Sequence, residues 1–350
     1  MTSWVKYQNT KRIFKETKET KTKETKTKET ETKETKETKE NTYKLCYEPY
    51  LFNSDSGRRI SNAIKSFSIY LTNVKKIVNV YQPYYKNKVP ASGLGDFIKG
   101  SYFLHQYCKL LDIEFEVNMN YHMINTVLDN SYNEIKSYYL ENIEHSDVIN
   151  YHINENIKNI DLYIDIINKV NTYISKCTVD DGVLYACMKL YPMFKITEER
   201  SFFRNIFKYN QIMLNEIILN EIKTPYNIIH IRSGDKHLIN NENISDKYIK
   251  NIIKIIKEHM KKDTILMGDS NDVKNKIIEQ IPNLIGINNK ISHMGEGVDI
   301  SLETVKNNMI EFNIMSKALS ILSISIYEHG SGFSKWCAET YNIPYTAIYF

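Results

Sequence analysis

Between Asn227 and Ile326, short apolar runs alternate with longer stretches in which Ile and Met recur every three or four residues. Asn227-Ile228-Ile229-His230-Ile231-Arg232, Thr264-Ile265-Leu266-Met267, Leu284-Ile285-Gly286-Ile287 and Ile321-Leu322-Ser323-Ile324-Ser325-Ile326 read as strands. Ile249, Ile252, Ile253, Ile256 and Met260 share one face of a helix after the first strand. A short helix precedes the third strand, another runs from about Ser301 to Leu319, and a last one starts near Phe333. Parallel strands need a crossover between them, so this alternation points to a parallel, doubly wound sheet with helices on both faces.

In such sheets ligands sit beyond the carboxyl ends of the strands. Three of those ends are polar here. The first runs His230-Ile231-Arg232-Ser233-Gly234-Asp235-Lys236-His237, the second Gly268-Asp269-Ser270, and the fourth Glu328-His329-Gly330-Ser331-Gly332. Arg232 offers a fixed cation with a two-pronged grip on a diphosphate. Residues 330–334 offer hydroxyls and backbone N–H groups at a helix start, where orphan donors and the helix dipole attract anions. Asp269 and Ser270 supply a carboxylate and a hydroxyl at ribose or base distance. A nucleoside diphosphate satisfies all three. The alternative for each residue is structural: an Arg232–Asp235 pair, a core histidine at 230, and helix capping by Asp269, Ser331 or Ser334.

The preceding half begins with a similar unit. Lys76-Ile77-Val78-Asn79-Val80-Tyr81 reads as a strand, Ser92-Gly93-Leu94-Gly95-Asp96 as a Gly-rich turn, the residues to about Leu111 as a helix, and Glu114-Phe115-Glu116-Val117 as a second strand. Glycines at such a turn let a ligand approach the backbone. Residues 121–225 read mostly as helices. Residues 15–40 repeat Lys-Glu-Thr with a period near three, which matches neither helix nor strand and contains nothing apolar to bury. The expected organisation is a disordered tail over 1–42, a Rossmann-like domain with helical insertions over 43–225, and a second Rossmann-like domain over 226–350.

A length of 350 residues with 42% hydrophobic content suffices for two cores. The formal charge of +4, with Lys and Glu interspersed, offers no concentrated basic face for nucleic acid. Five cysteines at 46, 108, 177, 187 and 337 show no metal-ligand spacing and suit reduced thiols. The start lacks the apolar segment of a signal peptide, and no apolar run approaches the ~20 residues that span a bilayer. A soluble, cytoplasmic protein is expected.

His230-Ile231-Arg232-Ser233-Gly234-Asp235-Lys236 resembles the His-[Val/Ile]-Arg-Arg-[Gly/Thr]-Asp signature of the α-1,2/α-1,6 and protein O-fucosyltransferase superfamily, which includes the rhizobial nodulation fucosyltransferases. Gly93-Leu94-Gly95-Asp96 is similar to that family's N-terminal Gly-rich loop, and Asp269-Ser270 lies where it has an acidic second motif. Glu311-Phe312-Asn313-Ile314-Met315-Ser316-Lys317-Ala318 is similar to its Asp-led helix at the guanine, and Gly332-Phe333-Ser334 to its Thr-Phe-Ser diphosphate contact. The resemblance covers roughly residues 76–118 and 226–345.

It implies a GT-B fold with two Rossmann-like domains facing a cleft, and an inverting, metal-independent transfer of fucose from GDP-fucose to a glycan or protein acceptor. Arg232 would bind the β-phosphate with His230 and Ser334 assisting, Glu311 would accept from guanine N1 and N2, and Asp235 would orient the Arg232 loop. Asp96, Asp235 and His237 are the candidates for the base at the acceptor. The chain departs from the pattern at Ser233, where the signature has a second Arg, and at Glu311, where it has Asp. The alternatives are a GDP-sugar-binding protein without turnover and a GDP-hexose transferase of different sugar specificity.

Overall fold

In β1 (Lys76–Val80) every residue after the first is buried, which suits a strand covered on both faces. The computed structural model describes residues 54–129, 140, 143, 159–219, 222, 225–234, 244–295, 300–327 and 330–349. The Lys-Glu-Thr segment, Asp235, Lys236 and His237 lie outside the described residues.

The first half contains α1 (Ser54–Lys65), β1, a small antiparallel pair β2 (Tyr84–Tyr85) and β3 (Val89–Pro90), α2 (Leu94–Leu111), β4 (Glu114–Asn118), α3 (Ile160–Ile174), β5 (Val179–Asp180), β6 (Val183–Ala186), α4 (Glu199–Ile206) and α5 (Gln211–Leu219). Its sheet has the order β4-β1-β6-β5, with β1 parallel to β4 and β6, and β5 antiparallel at the edge. The β5–β6 hairpin interrupts a region whose other described elements are helices, as expected. Asp181 and Gly182 both take positive φ, closing a tight turn, and the four-residue run Val183-Leu184-Tyr185-Ala186 becomes a strand by pairing with β1. So short a run carries no periodicity of its own.

The second half contains β7 (Asn227–Arg232), α6 (Asp246–His259), β8 (Thr264–Gly268), α7 (Asn271–Gln280), β9 (Ile285–Gly286), α8 (Leu302–Ser316), β10 (Ile321–Ser325), α9 (Gly332–Tyr341) and β11 (Tyr345–Tyr349). Its sheet runs β11-β10-β7-β8-β9, parallel throughout. The expected alternation is present, with β11 added beyond it. In α6, Ser245 caps the N-terminus by accepting from Tyr248 N–H, and Ile249, Ile252, Ile253 and Ile256 turn inward. Each such isoleucine contributes about 1.5–3 kcal/mol by leaving water.

One apolar cluster is continuous through both halves. It joins Val78, Phe97 and Tyr102 to Ile228, Met309, Phe312 and Trp336. Two more clusters cover the first half under α1 and α3 and the second under α6 and α7. One close join between the halves is between helices. A Cβ on Gly95 of α2 would lie 2.3 Å from the carbonyl carbon of Gly332 in α9, so only glycine allows these backbones to meet. Tyr102 Oη donates to Thr340 Oγ1 at 3.1 Å along the same contact. Cys108, Cys177, Cys187 and Cys337 are free thiols. No helix among the described residues is long and apolar enough to cross a membrane.

Candidate functional site

β7 is the middle strand of the second sheet, and its carboxyl end is built around one carboxylate. Asp269, at the exit of β8, accepts from Ser233 N–H at 2.8 Å and from Gly234 N–H at 3.3 Å. It also holds Arg232 Nη1 at 3.1 Å. The Arg232 side chain is 16% exposed, that of Asp269 only 4%. A carboxylate that satisfies two backbone donors and a guanidinium at once fixes the turn, and with it the direction of the arginine fork. Gly234 has φ 107°, and a Cβ there would run into Ile326 Cδ1. The β7 turn therefore packs beneath the exit of β10, whose Ser325 pairs in register with Arg232.

Glu311, in the middle of α8, is 1% exposed, and it makes no hydrogen bond or ion pair with a described residue. Burial pushes its carboxyl up to about 7, partly offset by the Lys274 ammonium and reinforced by the Asp269 carboxylate. Lys274 is wholly buried in α7, where its Nζ donates to the Ile287 carbonyl. Burial pulls its ammonium below the ordinary lysine value, against the pull of Glu311 and Asp269. Buried polar groups are nearly always partnered, and a bare carboxylate at this depth calls for a reason.

His230 lies 4% exposed on β7, and its Nδ1 has no partner among the described residues. Burial, then Arg232 and Lys274, drives its imidazole down to about 3. It is neutral at working pH, so it can offer or accept a hydrogen bond but brings no positive charge. Its ring faces Phe333 at a centroid distance of 6.2 Å. That contact sets the end of β7 beside the first turn of α9.

Ser331 is the N-cap of α9, but its side chain caps no N–H. Ser334 is fully buried and turns its hydroxyl onto the Ser331 carbonyl at 3.4 Å, whereas Gly332 and Phe333 are partly exposed. The anion-attracting groups of this turn are thus its backbone N–H donors. Gly330, with φ 74°, makes the turn that leads into it. Ser270 caps α7 by accepting from Val273 N–H at 3.3 Å. On the other half, Gly93 begins α2, Gly95 is pressed against Gly332, and Asp96 forms an ion pair with Lys99 at 2.6 Å. The structure brings Arg232, His230, Asp269, Glu311 and residues 330–334 to one end of one sheet. Gly95 reaches it through the α2–α9 contact, and Gly93 lies against His293 in the loop after β9.

The sequence reading missed Lys274, Asn308 and His122. Lys274 had a signal: it precedes Ile277 and Ile278 by three and four residues, a lysine on an apolar stripe. Asn308, one turn before Glu311, donates to the Ser292 carbonyl at 2.9 Å and ties the loop after β9 to α8. His122 fixes the far side of that loop. Its Nδ1 accepts from Ile124 N–H, so Nε2 carries the proton and donates to the Met294 carbonyl at 3.0 Å. Neither residue stands out by periodicity, because both act across long sequence separations. Among the described residues no group of three or more His, Cys, Asp or Glu could hold a metal ion.

No family model and no curated protein matches the chain. Among solved structures it is similar to NodZ α-1,6-fucosyltransferase soaked with GDP-fucose, at 14% identity over 76% of this chain and 92% of that one, with a TM-score of 0.43. It is similar to fucosyltransferase NodZ from Bradyrhizobium at 13% identity over 75% and 92%, TM-score 0.42. It is also similar to POFUT1 in complex with GDP-fucose at 11% identity over 86% and 83%, TM-score 0.31.

Proposed function

We propose that this chain binds a guanosine diphosphate sugar at the carboxyl end of its second sheet and transfers the sugar, most simply fucose, to a glycan or protein acceptor. The observation that carries the reading is Glu311, a carboxylate buried to 1% exposure without a partner among the described residues, behind a sheet end that presents Arg232. An ionised carboxylate accepts hydrogen bonds only. Guanine offers two adjacent N–H donors along N1 and N2, whereas adenine offers one donor beside an acceptor.

Arg232 would take the β-phosphate, and the N–H groups at the start of α9 would take the remaining phosphate oxygens. Charge grows on the leaving diphosphate as the anomeric carbon gains oxocarbenium character, and donors already aimed at that charge need no reorganisation. His230, neutral, can add a hydrogen bond but no charge. The acceptor hydroxyl needs a base: Asp96, Asp235 and His237 remain the candidates. The two-domain division at 225/226, with the acceptor on the first half, belongs to the same proposal.

A second reading, a GDP-sugar-binding protein without turnover, draws on Ser233. Its side chain is fully buried and its N–H is engaged by Asp269, so this position supplies no second cation. Mass analysis of products from a panel of GDP-sugars, with wild type and Arg232→Ala, separates the two. Transfer or hydrolysis by wild type that drops about a hundredfold or more in the variant supports the enzyme. GDP binding with no turnover of any donor supports the binding protein.

A further inference from the structure

We infer that Arg200 and Arg204 are positioning residues for the diphosphate of the sugar donor: from α4 in the first half they hold the last turn of α9, the helix whose first N–H groups would meet the phosphates. The inference rests on the GDP-sugar reading and deepens it. Arg200 Nε donates to the Glu339 carbonyl at 2.8 Å, and Arg204 Nε donates to the Thr340 carbonyl at 2.9 Å. The last carbonyls of a helix find no partner within it and must be met from outside. In α9 the chain turns left-handed at Asn342, and the N–H groups of Asn342 and Ile343 both go to the Ala338 carbonyl. The next two carbonyls, Glu339 and Thr340, take their donors from the other half of the chain.

Two guanidiniums at this end also suit the helix dipole, whose negative pole lies here. Arg200 approaches the Glu339 carboxylate to 3.7 Å, and the Arg204 guanidinium lies 5.7 Å from the centre of the Tyr341 ring. From Tyr341 a run of rings leads back to the site. Tyr341 meets Phe312 at 6.2 Å between centroids, Phe312 meets Phe333 at 5.4 Å, and Phe333 faces His230. His230 is 4% exposed and its Nδ1 has no partner among the described residues, so the start of α9 adjoins a buried polar atom still open to a ligand. At that start Gly332 abuts Gly95 with no room for a methyl between them. α9 runs for 10 residues without a proline, a rod about 15 Å long. Pinned on Gly95 at one end and held by two arginines at the other, it has a fixed direction. Releasing the far end lets the first N–H groups turn away from Arg232.

The test is calorimetric titration of GDP and of guanosine into the full-length protein, with wild type and the double variant Arg200→Met, Arg204→Met. Methionine keeps an unbranched stem and removes both the hydrogen-bond donors and the charge; should the double variant not fold, Arg204→Met alone takes its place. Guanosine reads the base and ribose contacts, and GDP adds the diphosphate. In the variant GDP is expected to weaken about tenfold while guanosine stays within about twofold of wild type, so the preference for GDP over guanosine narrows. GDP and guanosine weakened alike, or neither weakened, makes the arginines merely structural and overturns the inference while leaving the GDP reading intact. Wild type that binds GDP no more tightly than guanosine, or binds neither, overturns both.

Discussion

Asp269 Oδ2 lies 3.1 Å from Arg232 Nη1, and the same carboxylate takes the backbone N–H groups of Ser233 and Gly234. The cation that would meet the diphosphate is thus oriented by a residue from the neighbouring strand. Its own loop continues into Asp235, outside the described residues.

Asp269→Asn therefore costs more than a surface charge. The amide keeps one acceptor oxygen for the backbone N–H donors and loses the charge that holds the guanidinium. Leaving buried donors short of a partner costs about 1–3 kcal/mol. Urea unfolding should show a loss in that range, and GDP titration should show weaker binding on top of it. Unchanged stability and affinity would mean that the carboxylate is dispensable.

Glu311→Gln should separate stability from function. The folded protein holds the Glu311 proton up to about 7, against an ordinary value of 4.5. The folded state therefore binds more protons through that window, and this group's contribution to stability falls as pH rises from about 4.5 to 7. Above pH 7 the ligand-free variant should be more stable than wild type by on the order of 1–3 kcal/mol, with the difference vanishing below pH 4.5. GDP affinity should fall at the same time, because the amide places a donor where guanine needs an acceptor. Thermal unfolding across pH, with and without GDP, measures both.

Gly95→Ala tests the join between the halves. The added methyl would sit 2.3 Å from the Gly332 carbonyl carbon and 2.7 Å from Phe333 N, both backbone atoms at the start of α9. Overpacking of this kind typically costs 1–3 kcal/mol. A lower urea midpoint is expected, together with weaker GDP binding, since the helix start must move. Loss of stability with full GDP affinity would detach the α2–α9 contact from the donor site.

Most of the second half was legible because its strands and helices each carry a period of their own: the Ile249–Ile256 stripe and the apolar runs of β7, β8 and β10 are local signals. β6 was not, since four residues take their conformation from pairing with β1. The polar strand ends pointed to Arg232, Asp269 and residues 330–334 as residue types in place. What sequence could not carry was their division of labour. Asp269, expected near ribose or base, spends its carboxylate on Arg232 and the β7 turn, and Ser270 caps α7. That Lys274 and Glu311 are both buried depends on packing that no local spacing encodes.

The most direct measurement is calorimetric titration of the wild-type protein with GDP, ADP and UDP, repeated with GDP on Arg232→Lys. A point charge on a flexible stem cannot reproduce the two-pronged grip of the guanidinium or its bond to Asp269. The account predicts GDP binding well ahead of ADP and UDP in wild type and at least tenfold weaker GDP binding in the variant. Equal or absent binding of all three nucleotides, or GDP affinity untouched by Arg232→Lys, would contradict it.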